Sequence, residues 1–243
     1  MKRPVRTLLR ILFWTVAASI LAVTILKWVP VRYTPLMLKR MLQGKGRPHQ
    51  EWVRLEEVSP ALIQACIAAE DNRFMDHHGF DRVELEMMWT AHRNDGKEIR
   101  GCSTISQQVA KNVFTLGTST WARKAVEAYW TVLIEKIWGK RRIMEVYLNV
   151  AETGPGLYGV QAAARHYYGL DAKDIDRKQA CAIAARLPTP LEQTNDDTAS
   201  HRRIRQRQIH ALIPTLVYPE WALANPSAPA SVLSLKFSSQ PFD

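Results

Sequence analysis

The sequence predicts a mainly α-helical protein carried behind one N-terminal membrane-spanning helix. Three observations lead there. From Ser59 to about Leu216, successive segments place apolar residues at helical spacing and open on capping residues. Convincing strand alternation is absent from the same stretch. Ile11 to Leu26 form an uncharged run of 16 residues behind the basic start "MKRPVRTLLR".

That run is short for a span, which takes about 20 residues. Leu8, Leu9, Trp28 and Val29 extend it, and Arg10 and Lys27 can snorkel toward the headgroups. A cleaved signal peptide is the rival reading. The bulky "TILKWVPVRY" that follows offers no small-x-small cleavage site, so an uncleaved anchor over residues 8–29 is expected. Lys2, Arg3, Arg6 and Arg10 favour a cytoplasmic N-terminus, residues 1–7, with the body outside. Arg32, Lys39, Arg40, Lys45 and Arg47 on the far side weigh against that orientation.

Residues 30–58 read as a basic, proline-punctuated connector. Within it "PLMLKRML" is either an amphipathic helix lying on the membrane or part of a solvated linker. The main domain is expected over residues 59–216. "SPALIQACIAAE" has Ser at the N-cap and Pro at the first helical position. "DRVELEMMWTAHRN" follows, ended by "NDGKEIRG", and then "STISQQVAKNVF", where Thr104 and Gln107 are spaced as a capping box. "TWARKAVEAYWTVLIEKIWG" sets Val126, Trp130, Leu133 and Ile137 at helical spacing. "KRRIMEVYLNVAE", "YGVQAAARHYYG" and "RKQACAIAARLP" complete the series. The Pro/Ser-rich tail, residues 217–243, reads as irregular.

Charge narrows the function. A net +10 with a pI near 9.7 favours an anionic partner: nucleic acid, phosphate groups or an acidic membrane. The anchor argues against nucleic acid. Cys66, Cys102 and Cys181 have neither zinc nor redox spacing; Cys66 and Cys181 read as small core residues.

The first helix raises a chemical question, because it ends in Glu70 and Asp71 with Arg73, His77 and His78 close behind. Carboxylates oppose the dipole at a helix C-terminus. A helix buried on all sides would also push the Glu70 pKa up. An ordinary solvated helix end is the alternative. The adjacent His77 and His78 diverge and do not make a metal pair. In "GCSTISQQVAKN", Thr104, Gln107, Gln108 and Lys111 share one helical face, and Gly101 and Ser103 before it would leave backbone N–H groups for an anion. In "ARKAVEAYW", Arg123, Lys124 and Glu127 share a face, either as a surface ion pair or as a second carboxylate set among cations. Lys140, Arg141 and Arg142 add more positive charge. Carboxylates plus separated basic groups behind a membrane anchor suit a reaction on a phosphorylated, lipid-linked substrate.

Five ordered segments between residues 70 and 169 then carry a resemblance: "EDNRFMDHHG", "GCSTISQQVAKN", "RKAVE", "KRRIMEVYLN" and "GLYGVQAAARHYYG". In that order they resemble the peptidoglycan glycosyltransferases, and closely the monofunctional biosynthetic type. Met144 and Tyr168 stand where the family commonly has Leu and Phe, and Gly139 where it often has Ser. The resemblance implies a lysozyme-like domain with a smaller lobe dipping into the membrane, and lipid II as substrate. It implies Glu70 as the general base on the acceptor sugar and Glu127 as an assistant at the leaving group, through a divalent metal (Mg²⁺ or Mn²⁺) or by orienting basic residues. Lys111, Arg123, Lys124 and Lys140 would neutralise the pyrophosphate. Asp71, Phe74, His77, Ser103, Thr104, Gln107, Gln108 and Asn112 would line the substrate site. Expected partners are lipid II, the growing glycan, the membrane and other proteins of wall synthesis and division, not nucleic acid. No S-x-x-K followed by K-T-G occurs, so a penicillin-binding transpeptidase domain is not expected. A lytic, lysozyme-like hydrolase and a non-catalytic scaffold of wall synthesis are the alternatives.

Overall fold

A computed structural model describes residues 3–96, 103–116, 121–192 and 196–223. Gly101, Cys102 and most of the C-terminal tail lie outside them. Among the described residues the chain forms ten α-helices and a small sheet.

The first helix, α1, runs Arg3–Leu26. Its apolar stretch Pro4–Leu26 has 23 residues, about 34 Å of helix against about 30 Å of bilayer hydrocarbon. It is not a free tether. The Trp138 indole N–H donates to the Val23 carbonyl at 2.7 Å, and Ser19 and Tyr129 share a hydrogen bond.

The basic stretch after it packs on the domain. Helix α2 (Pro35–Leu42) is capped by the Thr34 hydroxyl, and Val31, Met37, Val53, Leu55 and Val58 are buried. So "PLMLKRML" is a helix, and it sets Arg40 beside Glu152.

Helix α3 (Pro60–Glu70) is the hub. Its Ser59 cap and Pro60 start are as the sequence predicts, and Leu62, Ile63, Ala65, Cys66, Ile67 and Ala68 are buried. Burial on every side explains its near-continuous apolar sequence. Helix α4 (Arg82–Asp95), capped by Asp81 and ended by a left-handed Gly96, instead leaves Val83, Leu85, Met87 and Trp89 exposed.

Helices α5 (Ile105–Phe114), α6 (Trp121–Ile137) and α7 (Gly139–Val150) pack together, with Phe114 stacked on Trp130 at 4.4 Å. The buried stripe of α6 differs from the apolar periodicity. It is Glu127, Thr131 and Ile134, continued by Trp138 just past the helix end, whereas Val126 is 47% exposed. One buried position on α6 is therefore a carboxylate, which an apolar count misses.

Helices α8 (Val160–Tyr168), α9 (Arg177–Ala184) and α10 (Asp196–Leu212) close the domain, α9 and α10 against α3. The sequence reading named no element over α10, whose charged face hides its period. It also missed three short strands, β1 (His49–Gln50), β2 (Glu152–Gly154) and β3 (Leu157–Tyr158). Their order is β1-β3-β2, with β1 parallel and β2 antiparallel to β3. Segments of two or three residues are too short to show alternation. The sheet nonetheless fixes Glu152 opposite Tyr158.

Gly79 carries a local constraint. Its φ is +96°, and a Cβ there would stand 2.6 Å from Thr131 Cγ2 and 3.2 Å from Glu135 Cγ. Gly79→Ala should therefore cost about 1–3 kcal/mol. At about 2–4 °C per kcal/mol for a domain of this size, thermal unfolding should show a Tm lower by several degrees. An unchanged Tm would refute the constraint.

Candidate active site

The C-terminus of α3 delivers Glu70 and Asp71 to opposite tasks. Asp71 turns inward: its carboxylate accepts the Ile105 N–H at 2.9 Å, capping α5, and meets His77 Nε2 at 2.9 Å. His77 Nδ1 in turn accepts the Gly79 N–H at 3.1 Å, which leaves the hydrogen on Nε2, directed at Asp71. The Thr104 hydroxyl donates to the Gly79 carbonyl at 2.7 Å, and Gln107 completes the predicted capping box. The N-terminus of α5, read from the sequence as open to an anion, is thus held by a carboxylate of the protein itself. Phe74 is fully buried beneath the Lys140 ammonium, which lies 4.4 Å from its ring. Lys140 donates to Glu135 at 2.7 Å, and Ser106 donates to the same carboxylate. Of the residues expected to touch substrate, Asp71, Phe74, His77, Thr104 and Gln107 are packed as the support of the site.

Glu70 faces the other way, with its side chain 10% exposed. The Gln108 amide donates to it at 2.8 Å, and Arg205 of α10 lies 3.4 Å from its other oxygen while also donating to the Ala69 carbonyl. Desolvation raises the Glu70 pKa; the Gln108 hydrogen bond, Arg205 and Lys111 oppose that rise. The same Gln108 amide is 3.3 Å from the Ser103 carbonyl, which orients it.

Beyond Gln108 opens a cavity of about 160 Å³ lined by Lys111, Asn112, Arg40, Tyr147 and Glu152 and walled by Leu187, Pro188 and Pro190. Asn112 Oδ1 and the Tyr147 hydroxyl are buried there without a hydrogen-bond partner. Such atoms are costly unless a ligand or water completes them. Glu152 pairs with Arg40 at 3.0 Å, and burial raises its pKa against that pairing.

Glu127 is buried on α6, with Arg123 at 3.1 Å and Lys124 at 3.4 Å. Burial lowers the Lys111 pKa, while the charges of Glu127 and Glu70 raise it and Lys124 and Arg123 lower it. Lys111 therefore stands within electrostatic reach of both carboxylates, which are 57 positions apart in sequence. Glu127 would give a Mg²⁺ or Mn²⁺ ion at most one protein carboxylate. Each Glu127 oxygen faces a cation, and among the described residues no three His, Cys, Asp or Glu side chains gather. Such an ion takes one or two protein carboxylates and fills the rest of its shell with water and substrate phosphate.

The sequence reading missed Arg205, Arg40, Tyr147, Glu152 and Glu135. Glu152 and Tyr147 flank or belong to the "EVYLNVAE" segment already singled out. Arg205 sits in "HRRIRQRQ", where nothing marks one Arg among four.

A helical domain around a buried hub helix, with Glu70 held by Gln108 at the edge of a cavity and Glu127 set among cations, has the make-up of a lysozyme-like glycosyltransferase, the class that the family match gives it. The transglycosylase family model matches residues 37–213, and the chain belongs to that family. It is 47% identical over 192 residues to the biosynthetic peptidoglycan transglycosylase of Pseudomonas aeruginosa, covering 77% of this chain and 82% of the relative. It is 46% identical over 194 residues to the protein of that name from Caulobacter vibrioides, covering 79% and 83%. To the one from Ectopseudomonas mendocina it is 42% identical over 234 residues, covering 89% and 96%. Its activity is peptidoglycan transglycosylation, a glycosyl transfer.

Proposed function

We propose that this transglycosylase polymerises lipid II into β-1,4 glycan with release of undecaprenyl pyrophosphate, and that Glu70 is its base. The observation that carries the reading is Glu70 held between Gln108 and Arg205 beside Lys111, in the field of the Arg123–Glu127–Lys124 group. Glu70 takes the proton from the acceptor sugar's 4-hydroxyl as that oxygen attacks C1 of the lipid-linked donor. The C1–O bond to pyrophosphate breaks, and the α-linkage inverts to β. The leaving group gains negative charge, which fixed cations stabilise. Lys111 and Arg123 are the groups we assign to it, with Glu127 orienting Arg123 and Lys124. Asn112 Oδ1 and the Tyr147 hydroxyl then meet the sugar's polar groups. A Mg²⁺ or Mn²⁺ ion, when bound, would supply further positive charge to the leaving pyrophosphate, with Glu127 as its protein carboxylate. A hydrolase reading would have little use for this many cations. Incubating the full chain with lipid II and, separately, with finished glycan tests it: glycan strands should form from the first, and the second should stay intact. Cleavage of finished glycan without polymerisation would overturn the proposal.

We also propose that α1 is an uncleaved single-pass anchor in the bacterial inner membrane with the domain outside, and that the apolar face of α4 dips into the outer leaflet. The bonds from Trp138 to Val23 and from Arg142 to the Leu26 and Val29 carbonyls support the first part, because cleavage would unseat α1 from the domain. N-terminal sequencing of membrane-extracted protein should begin at residue 1 or 2. A mature chain starting near residue 30 would refute it.

A further inference from the structure

Where α1 leaves the membrane, a second cavity of about 490 Å³ opens, sharing no residue with the catalytic cleft. That is an ordinary size for a ligand pocket. Lys27, Trp28 and Pro30 come from the end of the anchor, Trp52 and Arg54 from the stretch after β1, and Trp138, Arg141, Arg142 and Glu145 from the α6–α7 corner.

Its construction separates fixed cations from spare ones. Arg142 is structural: it donates to the Leu26 carbonyl at 2.8 Å and the Val29 carbonyl at 2.6 Å, pairs with Glu145 at 2.7 Å, and lies 5.2 Å from the centre of the Trp52 ring. Arg141 is paired with Glu56. Among the described residues no carboxylate pairs with Lys27 or Arg54; Lys27 lies over the Trp28 ring at 5.4 Å. Glu56 and Glu145 therefore pair with two of the four cations; Glu57 accepts the Arg54 backbone N–H at 3.1 Å but does not pair with its guanidinium, and among the described residues the Lys27 and Arg54 side chains stay without an ion-pair partner. Trp28 is 78% exposed. A tryptophan that open, two residues past a span, belongs at the lipid–water boundary.

The anchor reading sets this cavity at headgroup depth, and the inference rests on that reading. A surplus of positive charge there, flanked by amphipathic rings, fits a phosphodiester headgroup with its acyl chains running down beside α1. We propose that the cavity at the root of the anchor binds one anionic phospholipid, with Lys27 and Arg54 as the headgroup cations. The bound lipid would hold the domain at a set height and tilt over the bilayer, and so the cleft relative to a membrane-borne substrate.

The test uses the full chain in nanodiscs of phosphatidylcholine with a minor fraction of phosphatidylglycerol, with retained lipids counted by native mass spectrometry. One phosphatidylglycerol should be retained in preference to phosphatidylcholine. Lys27→Ala/Arg54→Ala should weaken that retention about 30-fold, at about fivefold per basic side chain, and Lys27→Arg/Arg54→Lys should restore it. Arg203→Ala/Arg207→Ala, exposed on α10, should retain the lipid as wild type does. Equal loss from both alanine pairs would reduce the effect to diffuse charge and overturn the site. Displacement of the lipid by millimolar inorganic phosphate would do so too, making it an ion pocket. A chain that enters the disc yet shows no preference overturns the site alone. A chain that fails to enter overturns the anchor and the site with it.

Discussion

Glu70→Gln should reduce the initial rate of lipid II polymerisation by about 10²–10⁴, the usual cost of removing a positioned base, while the fold and lipid II binding persist. The fold should persist for a thermodynamic reason. Burial raises the Glu70 pKa in the folded state, so the folded protein binds its proton more tightly than the unfolded chain does. Stability contributed by that group is therefore highest below the ordinary carboxylate range and is lost as pH rises through the folded pKa. At working pH the ionised Glu70 is a burden on the fold, and the Gln variant should melt no lower than wild type near neutral pH. The same raised pKa places the acid limb of the pH–rate profile above the range of an exposed glutamate. Arg205→Gln removes one of the groups that hold the pKa down and should shift that limb to higher pH, with activity recovering as pH rises. A folded Glu70→Gln enzyme with near wild-type rate would refute the assignment. An unmoved acid limb in Arg205→Gln would show that Arg205 only packs.

Lys111→Met should lower the rate by about 10²–10³, the cost of removing one fixed donor from developing negative charge. It has a second signature. Lys111 is also among the groups that lower the Glu70 pKa, so its loss should move the acid limb upward, like that of Arg205→Gln. The two variants differ at high pH: Arg205→Gln should regain most of its rate there and Lys111→Met should not, because its leaving-group cation is gone. Burial lowers the Lys111 pKa, and the wild-type rate should accordingly fall on the alkaline side as that ammonium deprotonates. Methionine keeps the unbranched side chain up to its last atom and should leave the melting temperature near wild type. Recovery of Lys111→Met at high pH would mean that it acts only through Glu70. Full polymerisation at neutral pH would remove it from the site.

The long apolar helix at the N-terminus and most helices from α3 to α9, with their caps, were legible in residues alone, because capping and apolar spacing act within a few positions of the chain. Ser59 and Pro60 starting α3, the Thr104–Gln107 box and the Arg123–Glu127 pair are of this kind. The family was legible too, in five ordered segments between residues 70 and 169, and the transglycosylase model matches residues 37–213.

What the tertiary structure alone decided is the direction each side chain faces. Glu70 and Asp71 are neighbours of the same chemistry, yet one meets Gln108 at the edge of the cavity and the other caps α5, because α3 ends at Glu70 and the chain leaves it at Asp71 with φ −162° and ψ 77°. No spacing rule brings Glu127 to within the field of Lys111, since that depends on α5 packing against α6. Arg205, Arg40 and Glu152 reached the site from a helix without clear periodicity, from an apparent linker and from a strand of three residues. Residue identity determined what charge was available; long-range packing, which obeys no local period, determined which charges meet.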